Sequence, residues 1–524
     1  AAQVVLPWIS GQSASENPEE WQRMLQWVER DQVGGLIVST GAPRVLLAKL
    51  NAAQARARVP LLVVSDLETG PGMRLRPGGT DFPPAMAFGA AGSEALARQA
   101  GRVTAAEARA VGIHLTLGPV LDLNSNPDNP IINVRSFGED PARVGRLAAA
   151  WIAGAREGGL LAAGKHFPGH GDTRVDSHVG LATVRGDSAR LATTELVPFR
   201  AAVDAGIEGM LVGHLAVLGI EGPGAGPASL SPRVIGGLLR ERLRFEGLVI
   251  TDALNMGAIT GRYPVPAASV RALQAGADLL LQPPGHPEVI DSVAEAVRSG
   301  RLAPARLDQA VRRVLEAKAR AGIHRGAAVA GDSLAARVGV PAHAAEARRV
   351  AAASITLARD RTGLVPRTRP AGRVLHVSYG EAGGAFTAEL TAAGWRVEHA
   401  RVSARTGAAE FARLRARAAE AELVVASAFV APHQYRALGL AGGFAAFVEG
   451  LAAAGRPVVA VSFGSPYLLA GFPSVPAYLL AWSGSEASQR AAARALAGLA
   501  PITGRLPVSL PPFHDAGEGV RRPG

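Results

Sequence analysis

The chain has 524 residues, of which 48% are hydrophobic and 19% charged, and it contains no cysteine. That length exceeds one typical core, so two domains are the default, and the missing cysteines exclude disulfides, thiolate zinc sites and cysteine nucleophiles. The net charge of +11 and pI near 10.8 would suit an anionic partner. The basic residues are dispersed, however, and aromatics make up only 5%, so a nucleic-acid footprint is missing.

In chain order, the first 320 residues alternate short apolar runs with amphipathic helical patterns. The runs are Val4–Ile9 (interrupted by Pro7), Gly35–Ser39, Leu61–Ser65, Gly112–Leu117, Leu160–Lys165, Gly209–His214, Gly247–Thr251 and Ala277–Gln282. Helical periodicity falls over Glu19–Glu29, Ser93–Ala110, Pro141–Glu157, Leu191–Ala205, Pro232–Leu243 and Pro287–Ser299. Continuous apolar strands separated by helices predict a parallel sheet covered on both faces. About eight such units in about 300 residues predict a closed (β/α)8, TIM-like barrel.

An Ala/Arg/Gly-rich crossover comes next, and then a second α/β set with runs at Gly372–Ser378, Gly394–Val397, Glu422–Ala428, Pro457–Ser462 and Ala477–Trp482. The segment from Gly504 to Pro511 reads as a last edge strand. The expected organisation is α/β throughout: a barrel over 1–325, a linker over 326–365 and a smaller α/β sandwich over 366–524. No apolar run reaches the roughly 18 residues of a membrane span. The chain begins at Ala1 and shows no basic region followed by an apolar core. A cytoplasmic protein and an exported one whose leader has been removed both fit that start.

Ionisable residues cluster where apolar strands end: Asp66, Lys165-His166, His214 and Asp252. In a barrel these carboxyl ends open on one face, which is the active-site face. The most informative segment is Lys165-His-Phe-Pro-Gly-His170-Gly-Asp172-Thr-Arg-Val-Asp176-Ser-His178, with three of the chain's twelve histidines. Its Pro-Gly-x-Gly core rules out helix and regular strand. Only three of the 55 basic residues are lysines, at 49, 165 and 318, so a Lys at this loop points to a need for a compact ammonium rather than a guanidinium fork.

In an extended loop Asp176 and His178 point the same way, so the carboxylate can orient the imidazole and hold its protonated form. That makes His178 a candidate general acid/base. Asp252, at the end of a buried strand, suits nucleophilic attack on an anomeric carbon. A metal site built from His166, His170, Asp172 and His178 is the competing reading. The His-x-x-x-His spacing crosses Phe-Pro-Gly, though, and lacks the one-face helical placement of a zincin. The glycines at Gly70, Gly72, Gly78 and Gly79 match no phosphate-cradling motif and read as turns.

The fourteen residues from Lys165 to His178 resemble the signature of β-N-acetylglucosaminidases in glycoside hydrolase family 3. Asp66-x-Glu68, Pro83-Pro-Ala-Met, Pro119-Val-Leu-Asp-Leu-Asn, Arg135-Ser-Phe-Gly, Pro227-Ala-Ser-Leu-Ser and Gly247-Leu-Val-Ile-Thr-Asp252-Ala-Leu-x-Met-Gly are similar to the same family's pattern. The stretch Ser462-Phe-Gly-Ser-Pro-Tyr and the Gly504-Arg-Leu-Pro-Val-Ser ending resemble its C-terminal domain. The resemblance implies Asp252 as nucleophile, His178 as acid/base oriented by Asp176, and Asp66, Arg74, Arg135, Lys165 and His166 as ligands of the terminal sugar. It implies an exo-acting, retaining enzyme for terminal β-linked GlcNAc in peptidoglycan fragments or chitooligosaccharides. No metal and no organic cofactor is implied. A β-glucosidase or a glycoside phosphorylase on the same scaffold is the alternative, and a silent glycan-binding protein is a third reading. One departure stands out: where the family reads Asp-x-Glu-Gly-Gly-Arg, this chain has Asp66-Leu-Glu-Thr-Gly-Pro71-Gly-Met-Arg74, with Pro71 in place of the first Arg. The sequence leaves the oligomeric state open.

Overall fold

A computed structural model of the chain describes residues 1–367, 372–381, 383–432 and 438–524. They form two compact units. The first comprises 1–81, 97–129 and 141–344; the second comprises 82–96, 130–140 and 345–524.

The first unit carries strands β1 (Val5–Leu6), β2 (Trp8–Ile9), β3 (Gly35–Val38), β4 (Leu62–Ser65), β5 (Leu115–Val120), β6 (Leu161–Phe167), β7 (Ala182–Val184), β8 (Gly209–Val212), β9 (Leu215–Val217), β10 (Leu248–Thr251) and β11 (Leu280–Leu281). A seven-stranded parallel sheet runs β10-β8-β6-β5-β4-β3-β2. β1 pairs in parallel with β11, and a parallel bridge joins Ile250 to Leu279. Because β1 and β2 are one chain run broken only by Pro7, which lacks a ladder donor, the sheet curls into the eight-stranded barrel expected from the alternating pattern. β7 and β9 form a separate short parallel pair.

Alternation decides the packing. Leu6, Ile37, Leu62, Val64, Leu115, Leu117, Leu161, Ala163, Leu211, Leu248, Ile250, Leu279 and Leu281 fill the interior. The intervening residues Ile9, Leu36, Val38, Leu61 and Val63 pack outward on the helices. This is the two-sided burial that makes parallel strands read as unbroken apolar runs. Helices begin where the sequence supplies caps: the Asn17 side chain accepts from Glu20 N–H at the start of Pro18–Gln26, and Asp187 accepts from Arg190 N–H at the start of Ser188–Thr193.

The second unit holds β12 (Thr356–Asp360), β13 (Arg373–Tyr379), β14 (Arg396–Val402), β15 (Leu423–Ala428), β16 (Val458–Ser462) and β17 (Ala477–Leu480), in the order β12-β17-β16-β15-β13-β14. All pairs are parallel except β12 on β17. Apolar clusters on both faces of this sheet make it a doubly wound sandwich. The edge strand expected at 504–511 does not form: the segment makes only isolated contacts, including the Leu510–His514 bridge. Its prolines remove ladder donors, and the antiparallel edge is supplied by β12, which comes after the helix Pro341–Ser354. Within this unit Asn133 Nδ2 donates to Ser465 Oγ at 3.2 Å, and Ser509 Oγ donates to Glu139 Oε1 at 2.7 Å, so the early segment 130–140 is tied to late ones.

Candidate active site

The barrel's inward parity continues past its apolar layer. Counting two residues on from Val64, Ala163 and Ile250 reaches Asp66, Lys165 and Asp252, each at the carboxyl end of its strand. Three expected residues therefore share the barrel mouth because of strand pleat alone.

Lys165 is 4% exposed, and its Nζ lies 2.8 Å from Asp66 Oδ1 and 2.7 Å from Glu68 Oε1. Arg74 NH2 donates to Asp66 Oδ2 at 3.2 Å. Two carboxylates and two cations thus make a locally neutral quartet. Burial alone would raise the Asp66 carboxyl; Lys165 and Arg74 outweigh it, against an opposing push from Glu68, and hold it below the usual carboxylate range. Among the described residues Arg74 Nε is buried and has no hydrogen-bond partner.

After Lys165 the chain passes through cis peptide bonds at Lys165–His166 and Phe167–Pro168. Asp122, wholly buried just past the end of β5, organises the loop beyond them. It accepts the His166 backbone N–H at 3.2 Å, the His170 backbone N–H at 2.6 Å and His166 Nδ1–H at 2.6 Å. Burial would raise its pKa, but His166 and His170 reverse this and keep it a carboxylate. A carboxylate only accepts, so His166 Nδ1 carries a proton. His170 bonds Thr173 Oγ1 at 2.6 Å and Ser177 Oγ at 3.0 Å, and Asp172 pairs with Arg190. These two residues shape the loop. Asn129 Nδ2 adds bonds to the carbonyls of His170, Gly171 and Thr173.

At the loop's far end His178 Nδ1 donates to Asp176 Oδ1 at 2.7 Å, and the same oxygen accepts the His178 backbone N–H at 2.9 Å. The His178 carbonyl accepts from Gly257 N–H at 3.0 Å, which ties this loop to the turn after Asp252. A Cβ at Gly257 would sit 2.6 Å from Val179 O, so the close approach requires glycine.

Asp252 is fixed by its own chain: its N–H donates to Val212 O, and its Oδ1 accepts from Ala253 N–H at 2.9 Å. Burial would raise its carboxyl, but His214, His166, His178 and the Ala253 amide pull it below the usual range. His214, wholly buried, has its pKa lowered by burial, against the pull of Asp252. Its Nε2–H donates to Ala253 O at 3.0 Å and its Nδ1 lies 2.7 Å from Ser229 Oγ, an arrangement a neutral imidazole satisfies on both sides.

Of the eight site residues expected from sequence, the first unit brings together Asp66, Arg74, Lys165, His166, Asp176, His178 and Asp252. Arg135 belongs to the second unit, on the short turn Asn133–Arg135, where its NH1 donates to Ile131 O at 2.9 Å. Asp122, Glu68 and the supporting role of His214 were not foreseen; Glu68 and Asp122 do lie inside family-like motifs at strand ends, which is the signal that locates them. Among the described residues no group of three His, Cys, Asp or Glu is placed to hold a metal ion, and no helix is long and apolar enough to cross a membrane.

A charged barrel mouth on a parallel (β/α)8 unit, in a chain with a second, doubly wound α/β unit, defines a two-unit α/β barrel protein. Comparison with known families makes this specific. The Glycosyl hydrolase family 3 N terminal domain matches residues 2–317 and the Glycosyl hydrolase family 3 C-terminal domain residues 252–518, and the chain belongs to this family. It is 36% identical over 346 residues to the beta-N-acetylglucosaminidase/beta-glucosidase of Cellulomonas fimi, covering 64% of this chain and 61% of that relative. It is 36% identical to a beta-hexosaminidase of Methylococcus capsulatus, covering 52% of this chain and 81% of that one. Against the two longer relatives, from Cellulomonas fimi and Pseudoalteromonas piscicida, the matched region spans 61% and 58% of their length. In structure it is similar to a glycoside hydrolase family 3 beta-N-acetylglucosaminidase from Paenibacillus sp. str. FPU-7, with TM-score 0.87, 32% identity and 97% of both chains covered. It is also similar to the beta-glucoside phosphorylase BglX, with TM-score 0.86 and 26% identity, covering 97% of this chain and 93% of that one.

Proposed function

We propose that the protein is an exo-acting, retaining β-N-acetylglucosaminidase that releases terminal β-linked GlcNAc from peptidoglycan fragments or chitooligosaccharides. The observation that carries the reading is the Asp176–His178 pair, bonded at 2.7 Å and tied through the His178 carbonyl to the turn after Asp252. It supplies a proton carrier beside a carboxylate held ionised. Asp252 attacks the anomeric carbon while His178 gives its Nε2 proton to the glycosidic oxygen. The glycosyl-enzyme ester then opens to water, with the neutral His178 Nε2 as base. Asp176 holds the Nδ1 proton throughout, so the working nitrogen is always Nε2. Asp66, Arg74, Lys165 and His166 hold the terminal sugar. Arg135 is left out of this assignment. The names of the relatives in Cellulomonas fimi and Paenibacillus support the substrate class.

The test is a panel of aryl β-glycosides with and without phosphate. Faster release from the GlcNAc glycoside than from the glucoside, independent of phosphate, together with a covalent adduct on Asp252 from a 2-fluoro sugar, is expected. An intact rate in Asp252→Asn would defeat the nucleophile assignment. A second reading, glycoside phosphorylase, draws on the likeness to BglX and on the imidazole acid/base, which when neutral repels an incoming phosphate less than a carboxylate would. Sugar 1-phosphate among the products would select it.

A further inference from the structure

The first strand ends differently from its neighbours. Leu6 lies in the barrel interior and Ile9 packs outward on the helices. Alternation across Pro7 therefore turns Trp8 inward, and its parallel partner Ile37 is itself an interior residue. Trp8 thus occupies on β2 the kind of position that Asp66, Lys165 and Asp252 occupy on or after β4, β6 and β10: the inward position beyond the apolar layer, at the carboxyl mouth. Around the ring β2 lies between the strand that ends at Asp252 and the one that ends at Asp66.

Asp66, Lys165 and Asp252 are ionic and partnered at this level. Trp8 is neither: it is 44% exposed, the one aromatic among the exposed large hydrophobic residues described. Its ring has no aromatic or cationic neighbour and its indole nitrogen no hydrogen bond among the described residues. A large flat apolar surface left open among charged groups gains little from folding. It matches a ligand with one apolar face and a rim of hydroxyls, and a pyranose ring in its chair is such a ligand.

We propose that Trp8 packs its indole against the C–H face of the terminal pyranose, so that the neutral quartet addresses the ring's hydroxyls and Asp252 its anomeric carbon while Trp8 covers the apolar face. The proposal rests on the glycosidase reading of the same mouth and adds a binding residue to it. Loss of the indole removes contact made equally in ground and transition states, so it weakens binding rather than the chemical step.

The experiment compares the full-length wild type with Trp8→Phe and Trp8→Ala on 4-nitrophenyl β-N-acetylglucosaminide, with free N-acetylglucosamine as competitor. Trp8→Ala is expected to raise KM and the inhibition constant of the free sugar together, each by about tenfold, the upper range for an aromatic contact. Trp8→Phe keeps most of the binding, and kcat stays within about threefold of wild type in both. An unchanged inhibition constant in Trp8→Ala overturns the proposal, whether or not KM moves, because the free sugar carries no leaving group. If the wild type cleaves no aryl glycoside, the glycosidase reading fails by itself, and Trp8 is then read by indole fluorescence. Free N-acetylglucosamine or glucose shifting the emission of the wild type but not of Trp8→Phe supports the contact, and no difference between the two chains refutes it.

Discussion

Asp122 is a residue whose loss the structure makes costly. It is wholly buried and accepts from two backbone N–H groups, of His166 and His170, and from the His166 ring. In Asp122→Ala the imidazole can move its proton to Nε2, but the two backbone donors cannot escape. At about 1–3 kcal/mol for each buried donor left unpaired, the expected destabilisation is about 2–6 kcal/mol, a large share of the roughly 5–15 kcal/mol that holds a domain together. Asp122→Asn keeps the shape and one acceptor but presents an N–H to His166 Nδ1, so the ring changes tautomer and Nε2 becomes a donor. The folded carboxyl is depressed, so its stabilising share is present above the unfolded pKa of about 4 and is lost as pH falls through the lower folded value. The gap between wild type and Asp122→Asn is therefore wide at about pH 6 and narrows as pH falls below about 4. Urea unfolding followed by tryptophan fluorescence measures this, and histidine-selective nitrogen-15 spectra read the tautomer. A midpoint for Asp122→Ala equal to wild type, with an unchanged slope, would refute the reasoning.

Three further outcomes come from the same geometry. His178→Ala should slow substrates with poor leaving groups about 10²–10⁴-fold, the worth of a positioned acid, while sparing activated aryl glycosides; equal loss on both counts against an acid role. Gly257→Ala forces a Cβ to within 2.6 Å of Val179 O, so the His178 loop must shift. Its kcat should fall by about 10²-fold with binding of free sugar little changed, as a displaced catalytic group predicts, and a wild-type kcat would show that the loop contact is incidental. Burial lowers the Lys318 pKa to about 7. Because the folded value lies below the unfolded one, the cost of burying the ammonium is full below about pH 7 and is relieved as pH rises toward 10.5, so stability should increase across that window. Lys318→Met should remove the slope, and a retained slope in urea midpoints between about pH 7 and about pH 10 would contradict this.

The barrel was legible because a parallel strand buried on both faces leaves an unbroken apolar run, and all eight runs became strands. The same pleat made Asp66, Lys165 and Asp252 legible as a group: each is the first ionisable inward position at or just past the end of its run. The edge strand at 504–511 was misread because alternating Leu, Val and Leu mimic a ladder that the intervening prolines cannot donate to; β12 takes the edge instead. Asp122 escaped notice because nothing near it in sequence needs a carboxylate. Its partners lie 44 and 48 residues on, across the β5–β6 crossover. The split of the first 320 residues between two units was equally hidden, since contacts such as Ser509 with Glu139 span 370 positions and leave no local pattern.

The chain's use of lysine connects these observations. Arginine serves nearly every surface need, yet all three lysines, Lys49, Lys165 and Lys318, are buried. Lys49 Nζ donates to the carbonyls of Ser10 and Gln12 and pairs with Glu20, while Lys318 Nζ donates to Gln3 Oε1. At Lys49 three acceptors converge on a point charge carried by a thin stem. A planar guanidinium spreads its donors in one plane and needs more room than such a cage leaves. Lys165 is the case that bears on the proposed site. Its ammonium bridges Asp66 and Glu68, where an arginine would splay the two carboxylates and carry Asp66 away from Arg74. The quartet keeps its neutrality and its shape together only with the compact cation, and in the proposed reading that neutrality favours hydroxyl groups over counterions as its ligands.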